Sequence, residues 1–327
     1  MHGGLHDMGR GELGRSEVER YKLLMDSCVS NIQRKIIGKS REIQLILATL
    51  FSQGHVLLEG VPGTAKTLLA KTLAVTLGLD FKRIQATPDL LPSDILGVNI
   101  YDPATGGFMF RKGPVFTNIL LFDEVNRAPP KTQAALLEAM QERQVTVEGV
   151  TYRLPEPFLV IATMNPVETE GTFPLPEAQV DRFLARIVIG YPSIEETVEM
   201  LKKYDDISVL DDLKPVLDRN TVIELTGLSK KIYVDENVLK YIAGIVEATR
   251  RHPMVKLGAS PRGAIALLLL SRSLALIHGR SYVTPDDVKQ VAHAALSHRV
   301  ILRSEARLSK LTPESIIDEV LDKVEPP

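Results

Sequence analysis

The chain has 327 residues, long enough for one large domain or two moderate ones. With 44% hydrophobic residues, 24% charged residues and a formal net charge of −2, it has the composition of a globular protein with no global attraction to nucleic acid or an anionic membrane. A single cysteine, Cys28, excludes an intramolecular disulfide framework and a multi-thiolate metal site, and reads as a small buried hydrophobe.

Residues 1–18 are rich in glycine and charge and lack the apolar run of a signal peptide, so a flexible terminus and a cytoplasmic location are expected. The longest apolar run, 264–270, is too short to span a bilayer, and the seven scattered histidines form no His-Glu-x-x-His motif, so neither membrane insertion nor a zinc site is expected. Two helical patterns occupy 19–50, on either side of Ile36-Ile37-Gly38-Lys39. Five apolar segments then read as strands of a parallel sheet: 55–58, 81–84, 118–122, 158–163 and 185–189. Helical stretches between them, notably 131–143, predict a three-layer α/β domain over 19–192. Two insertions interrupt the alternation. Residues 95–117 form a glycine-rich excursion, and 145–153 alternate around Glu148-Gly149 as a β-hairpin does. From 193 to 327 the pattern is helical, with Thr-Pro start signals at Thr284-Pro285 and Thr312-Pro313, predicting a second, all-helical domain.

The first strand runs into Gly60-Val61-Pro62-Gly63-Thr64-Ala65-Lys66-Thr67 and then a helical run, 68–77. That order is the context in which a glycine-rich loop cradles phosphates: its N–H groups converge on the anion and the helix N-terminus adds favourable potential. Lys66 would reach the phosphates of ATP, and the Thr67 hydroxyl would help to hold Mg²⁺. Ala65 stands where the last glycine of the pattern is expected. Its methyl predicts a backbone in the helical region, with the helix starting there.

The third strand ends in Asp123-Glu124, placing two carboxylates at the sheet edge where open α/β sheets bind ligands. Asp123 would hold Mg²⁺, and Glu124 would orient and polarise the attacking water. Asn165, just past the fourth strand, could touch the γ-phosphate or that water. In Asp181-Arg182-Phe183 the phenyl ring can anchor a turn while Asp181 and Arg182 stay at the surface. Arg262 opens the long apolar helix of the second domain. It gains nothing from the helix dipole there, which points to an anionic partner.

Together these segments resemble the AAA+ ATPases, and the MoxR family closely. The resemblance covers about 25–305 and rests on 60–67, Ala86-Thr87-Pro88-Asp89-Leu90-Leu91-Pro92-Ser93-Asp94, 121–131, 161–166 and 175–183. It implies a P-loop core with a central five-stranded parallel sheet in the order 5-1-4-3-2. The insertions at 95–117 and 145–153 would be the helix 2 insert and the pre-sensor 1 hairpin, and 193–327 the helical lid. It assigns Asn165 as sensor 1, Arg182 as an arginine finger offered to a neighbouring subunit, Arg262 as sensor 2, and Ile37-Gly38 to the adenine side. ATP is then expected between the sheet edge, the lid and an adjoining subunit, with Arg262 acting in either its own or a neighbouring site. The resemblance further implies homo-oligomeric rings, usually hexamers, and work with a von Willebrand A domain protein on a client complex, including metal-cofactor enzymes. Three other readings stand beside it. A nucleic-acid motor would use Arg111, Lys112, Arg143 and Arg153, but these form no basic run and nucleic acid is not the expected partner. The others are a magnesium-chelatase-like subunit and a non-hydrolysing ATP-binding scaffold, the latter opposed by intact Lys66, Asp123 and Glu124.

Overall fold

The computed structural model describes residues 15–327 except 62, 105, 166–170, 205–209 and 211. Of the terminus expected to be flexible, 1–14 lie outside the described residues. Residues 15–18 instead begin helix α1 (Arg15–Gln33), because Val18 and Tyr21 on its inner face are buried.

In chain order there follow α2 (Ser40–Phe51), β1 (Val56–Gly60), α3 (Lys66–Thr76), β2 (Phe81–Gln85), α4 (Pro92–Leu96), β3 (Gly97–Asp102), β4 (Gly107–Lys112), β5 (Ile119–Asp123) and α5 (Pro130–Glu142). The core closes with β6 (Gln144–Val147), β7 (Val150–Arg153), β8 (Leu159–Met164), α6 (Glu177–Val180) and β9 (Ala185–Ile189), and α7 (Ile194–Lys202) leads away from it. Five strands form one parallel sheet in the order β2-β5-β8-β1-β9. Numbered first to fifth along the chain, this is the expected order 5-1-4-3-2. Both insertions are antiparallel hairpins, β3–β4 and β6–β7, the second turning at Glu148 and Gly149 with positive φ at each.

The central strands are buried on both faces, and their period of two distributes side chains to two cores. Val56, Leu58, Ile119, Leu121, Leu159 and Ile161 face a cluster completed by α1, α2 and α3. Leu57, Leu120, Phe122, Val160 and Ala162 face another, beneath α5 and the hairpins. The C-terminal region is helical, with a two-stranded antiparallel ribbon of Val255–Leu257 and Ile301–Leu302 added. Its long helix, Pro261–Ile277, packs on α2. Leu267, Leu270 and Leu274 therefore share one continuous apolar cluster with Ile46, Phe51 and Leu73 of the core. No helix among the described residues is long and apolar enough to cross a membrane.

Candidate active site

β1 is buried throughout and delivers the loop 61–65 at the C-terminal edge of the sheet. Gly60 has no room for a side chain, since a Cβ there would stand 2.7 Å from the Ile189 carbonyl oxygen. Gly63 takes φ 82°, with nothing within 4 Å of where its Cβ would be, so an incoming group can approach the backbone closely. Thr64 donates its hydroxyl to the Val61 carbonyl at 2.9 Å, whereas Pro62 lies outside the described residues.

Ala65 departs from the expectation of a right-handed backbone. It takes φ 57° and ψ 24°, the left-handed region, and caps α3, which starts one residue later at Lys66. A methyl group in that conformation costs about 1–2 kcal/mol, a local strain imposed by the fixed ends of the loop. The Lys66 ammonium donates to the Gly60 carbonyl at 2.6 Å. Partial burial lowers its pKa, opposed by the charges of Asp123 and Glu124 across the edge. Thr67 stands half-buried in the first turn of α3.

Asp123, at the end of β5, accepts from the Thr163 hydroxyl through Oδ1 at 2.5 Å and from Arg83 Nη2 through Oδ2 at 2.7 Å. Glu124 turns the chain with φ 57°, and its N–H donates to the Thr163 hydroxyl oxygen at 2.8 Å. Its Oε2 accepts from Gln85 at 2.7 Å and Arg127 at 3.0 Å, while Oε1 has no hydrogen-bond partner among the described residues. Because β8 lies between β5 and β1, buried Asn165 stands between the acidic pair and the loop. At Gly38, with φ 67°, a Cβ would fall 1.8 Å from Glu196 Oε1, so glycine lets the start of α7 close beside buried Ile37.

Arg182 and Arg262 stand at the opposite edge. Leu184, just before β9, donates its N–H to the carbonyl of His55, just before β1. The turn holding Arg182 is therefore at the N-terminal edge, about one five-residue strand, or ~16 Å, from the loop. Phe183 is buried as expected, and no hydrogen bond or ion pair engages the Arg182 side chain among the described residues. Asp181, expected at the surface, is instead drawn to the lid: its carboxylate accepts from Arg299 Nε at 2.7 Å and Arg262 Nη1 at 3.3 Å. Arg262 thus pairs with Asp181 before β9 rather than joining Lys66 at its own chain's phosphate loop, the lid packing on α2 and beside edge strand β9.

Sequence reasoning missed Arg83 and Arg299 and undervalued Thr163. A cation in edge strand β2, alongside the strand that ends in Asp123, was the available signal for Arg83. Arg299 lies in a short turn with no local pattern to mark it.

Comparison with known proteins places this geometry. Residues 55–185 match the ATPase family associated with various cellular activities (AAA), and 247–320 match the AAA lid domain. The chain is 47% identical over 304 residues to the Bacillus subtilis protein YeaC, covering 93% of this chain and 95% of that one. It is 43% identical over 309 residues to Chaperone MoxR1 of Mycobacterium tuberculosis, covering 92% and 81% respectively. The crystal structure of a Cytophaga hutchinsonii protein described as a candidate ATPase superposes with a TM-score of 0.89 at 42% identity, over 95% of this chain and 97% of that one.

Proposed function

The chain belongs to the MoxR family of AAA+ ATPases, and from that premise we propose that it hydrolyses Mg-ATP at sites shared between copies in a ring. Turnover drives chaperone-like remodelling or maturation of a partner complex. The observation that carries this reading is the separation of Lys66, Asp123 and Glu124 at one sheet edge from Arg182 and Arg262 at the other. One chain holds the phosphate-binding half, and a neighbour supplies the arginines.

Within that site Lys66 and the backbone N–H groups of 60–67, Pro62 apart, hold the phosphates, as the open backbone at Gly63 permits. Thr67 and Asp123 offer the hard oxygens that suit Mg²⁺; Asp123 Oδ1 keeps a lone pair beyond its Thr163 partner, while Oδ2 accepts from both Nε and Nη2 of Arg83. The metal supplies countercharge to the transferring phosphoryl group. Gln85 and Arg127 fix Glu124 through Oε2, leaving Oε1 to accept a hydrogen bond from the attacking water and align it. Asn165 holds the γ-phosphate or that water from between the two halves. Ile37 and Gly38 flank the adenine, where Glu196 closes the wall. Arg182 from the neighbouring copy, with Arg262 beside it, spreads the developing charge.

A hexameric ring, a von Willebrand A domain partner and a cytoplasmic location complete the proposal. Protein rather than nucleic acid suits the insertions. Arg143 turns inward to the Gln53 carbonyl, while Tyr101, Phe108 and Met109 are exposed on the β3–β4 hairpin, Phe108 at 76%. The Glu124→Gln variant should keep ATP affinity, lose turnover and retain the partner in an ATP-loaded pull-down. Lys66→Ala should lose most ATP binding. Equal loss of affinity for a fluorescent ATP analogue in both variants would overturn this division of roles.

A further inference from the structure

The turn that presents Arg182 is gripped by several lid side chains, Arg299 making the most bonds and His298 Nε2 standing 3.1 Å from the Phe183 carbonyl oxygen. Arg299 is 7% exposed and makes five hydrogen bonds. Nε donates to Asp181 Oδ1 at 2.7 Å, and Nη2 donates to the carbonyls of Asp181 at 3.0 Å and Phe183 at 2.8 Å. Nη1 donates to the Leu184 carbonyl at 3.3 Å and to that of Ala295 in the helix just before it, Pro285–Leu296. A guanidinium has five N–H donors in a fixed plane, so a pattern that uses both terminal nitrogens and Nε fixes the acceptors relative to one another.

Those acceptors surround Arg182 on both sides. Asp181 is held by its carboxylate and its carbonyl, Phe183 by its carbonyl and buried ring, and Leu184 by its carbonyl and its N–H to His55. Two further lid groups reach Asp181: Ser260 Oγ at 3.3 Å and Arg262 Nη1 at 3.3 Å. The backbone around Arg182 is thus fastened to the lid, while the Arg182 side chain is bonded to nothing described.

We propose that Arg299, acting through Asp181, is a positioning residue for Arg182, so that the lid of one copy sets where its arginine meets the nucleotide of the next. The inference rests on the reading that Arg182 acts between subunits. A planar clamp on Asp181, Phe183 and Leu184, on either side of Arg182, limits the wander of the residue between them. An error of about 1 Å in placing a reacting-site group can cost about 10²-fold in rate. Movement of the lid would then carry the arginine with it and pass the state of one site to its neighbour.

Subunit mixing tests the role. Arg182→Ala mixed with Lys66→Ala is the control, and regained ATPase activity there establishes the division between subunits. Arg299→Gln and Arg299→Lys should each keep their own affinity for a fluorescent ATP analogue and lose about 10²-fold in kcat. Mixing either with Lys66→Ala should restore turnover as in the control. Lysine retains the charge but not the planar set of donors, so its failure to rescue kcat separates positioning from simple charge. Asp181→Asn, which leaves the backbone acceptors in place, serves if the Arg299 variants do not fold, and should follow the same complementation pattern with a smaller loss. If the control regains activity but folded Arg299 or Asp181 variants lose ATP affinity, keep wild-type kcat, or fail to be complemented, the positioning role is wrong. If the control itself stays inactive in rings shown to be mixed, the division between subunits is wrong and the positioning role falls with it.

Discussion

Acidification should destabilise this protein through His55, a buried side chain below the first core strand. It is 4% exposed, with Nε2 3.0 Å from the Met140 carbonyl oxygen and Nδ1 accepting the Val160 N–H at 2.9 Å. That pairing requires the neutral ring with its proton on Nε2, since a second proton on Nδ1 would face the Val160 N–H. Burial pushes its pKa from 6.5 down to about 4, the Met140 carbonyl opposing and Arg143 assisting. The unfolded chain takes up the proton near pH 6.5, whereas the folded chain resists until about pH 4. The unfolded state therefore binds more protons across that window. Stability is fully present above pH 6.5 and falls as the pH drops toward 4. The gap corresponds to about 3 kcal/mol in total, of which ~2 kcal/mol is already lost at pH 5. Urea unfolding followed by circular dichroism at pH 7.5 and pH 5 would measure it in the wild type and in His55→Gln. The variant should start less stable, having lost the edge-to-face contact with Phe158, but should lose ~2 kcal/mol less on acidification. Other groups, including buried His298, are common to both proteins and cancel in the difference. Equal losses in the two proteins would refute the reasoning.

Thr163→Val should lower kcat far more than ATP affinity, because the hydroxyl that joins the Glu124 N–H to Asp123 disappears; a change in ATP affinity alone would contradict this. At Ala65, glycine should leave the thermal midpoint within about 2 °C, since relief of left-handed strain is offset by greater freedom of the unfolded chain. Valine there should destabilise the protein and weaken ATP binding, and thermal melts with nucleotide titration would separate the two substitutions. Asp287→Asn should cost about 3 kcal/mol in urea unfolding, as it breaks a buried pair with Arg280 at 2.5 Å; a wild-type midpoint would show that the pair contributes little.

Much of this protein follows from local chemistry. Apolar runs buried on both sheet faces, a helix stripe at Leu136, Leu137 and Met140, and a Glu148-Gly149 turn between alternating strands are readable because their causes lie within a few residues. For the same reason the phosphate loop and the acidic pair are legible, as both motifs sit at strand ends whose edge follows from a parallel sheet. The sign of φ at Ala65 was not, because neighbouring anchors rather than residue preference decide it. Nor was the setting of Asp181, which looked like a surface carboxylate until Arg262 and Arg299 met it from positions 81 and 118 residues further along. Sequence shows that Arg262 begins a helix and that Arg182 ends a turn. The place of Arg182 follows from the parallel pairing of β9 with β1, which sets the turn before β9 at the edge away from the phosphate loop, whereas only packing of the lid against α2, which buries Leu267, Leu270 and Leu274, decides that Arg262 joins it there.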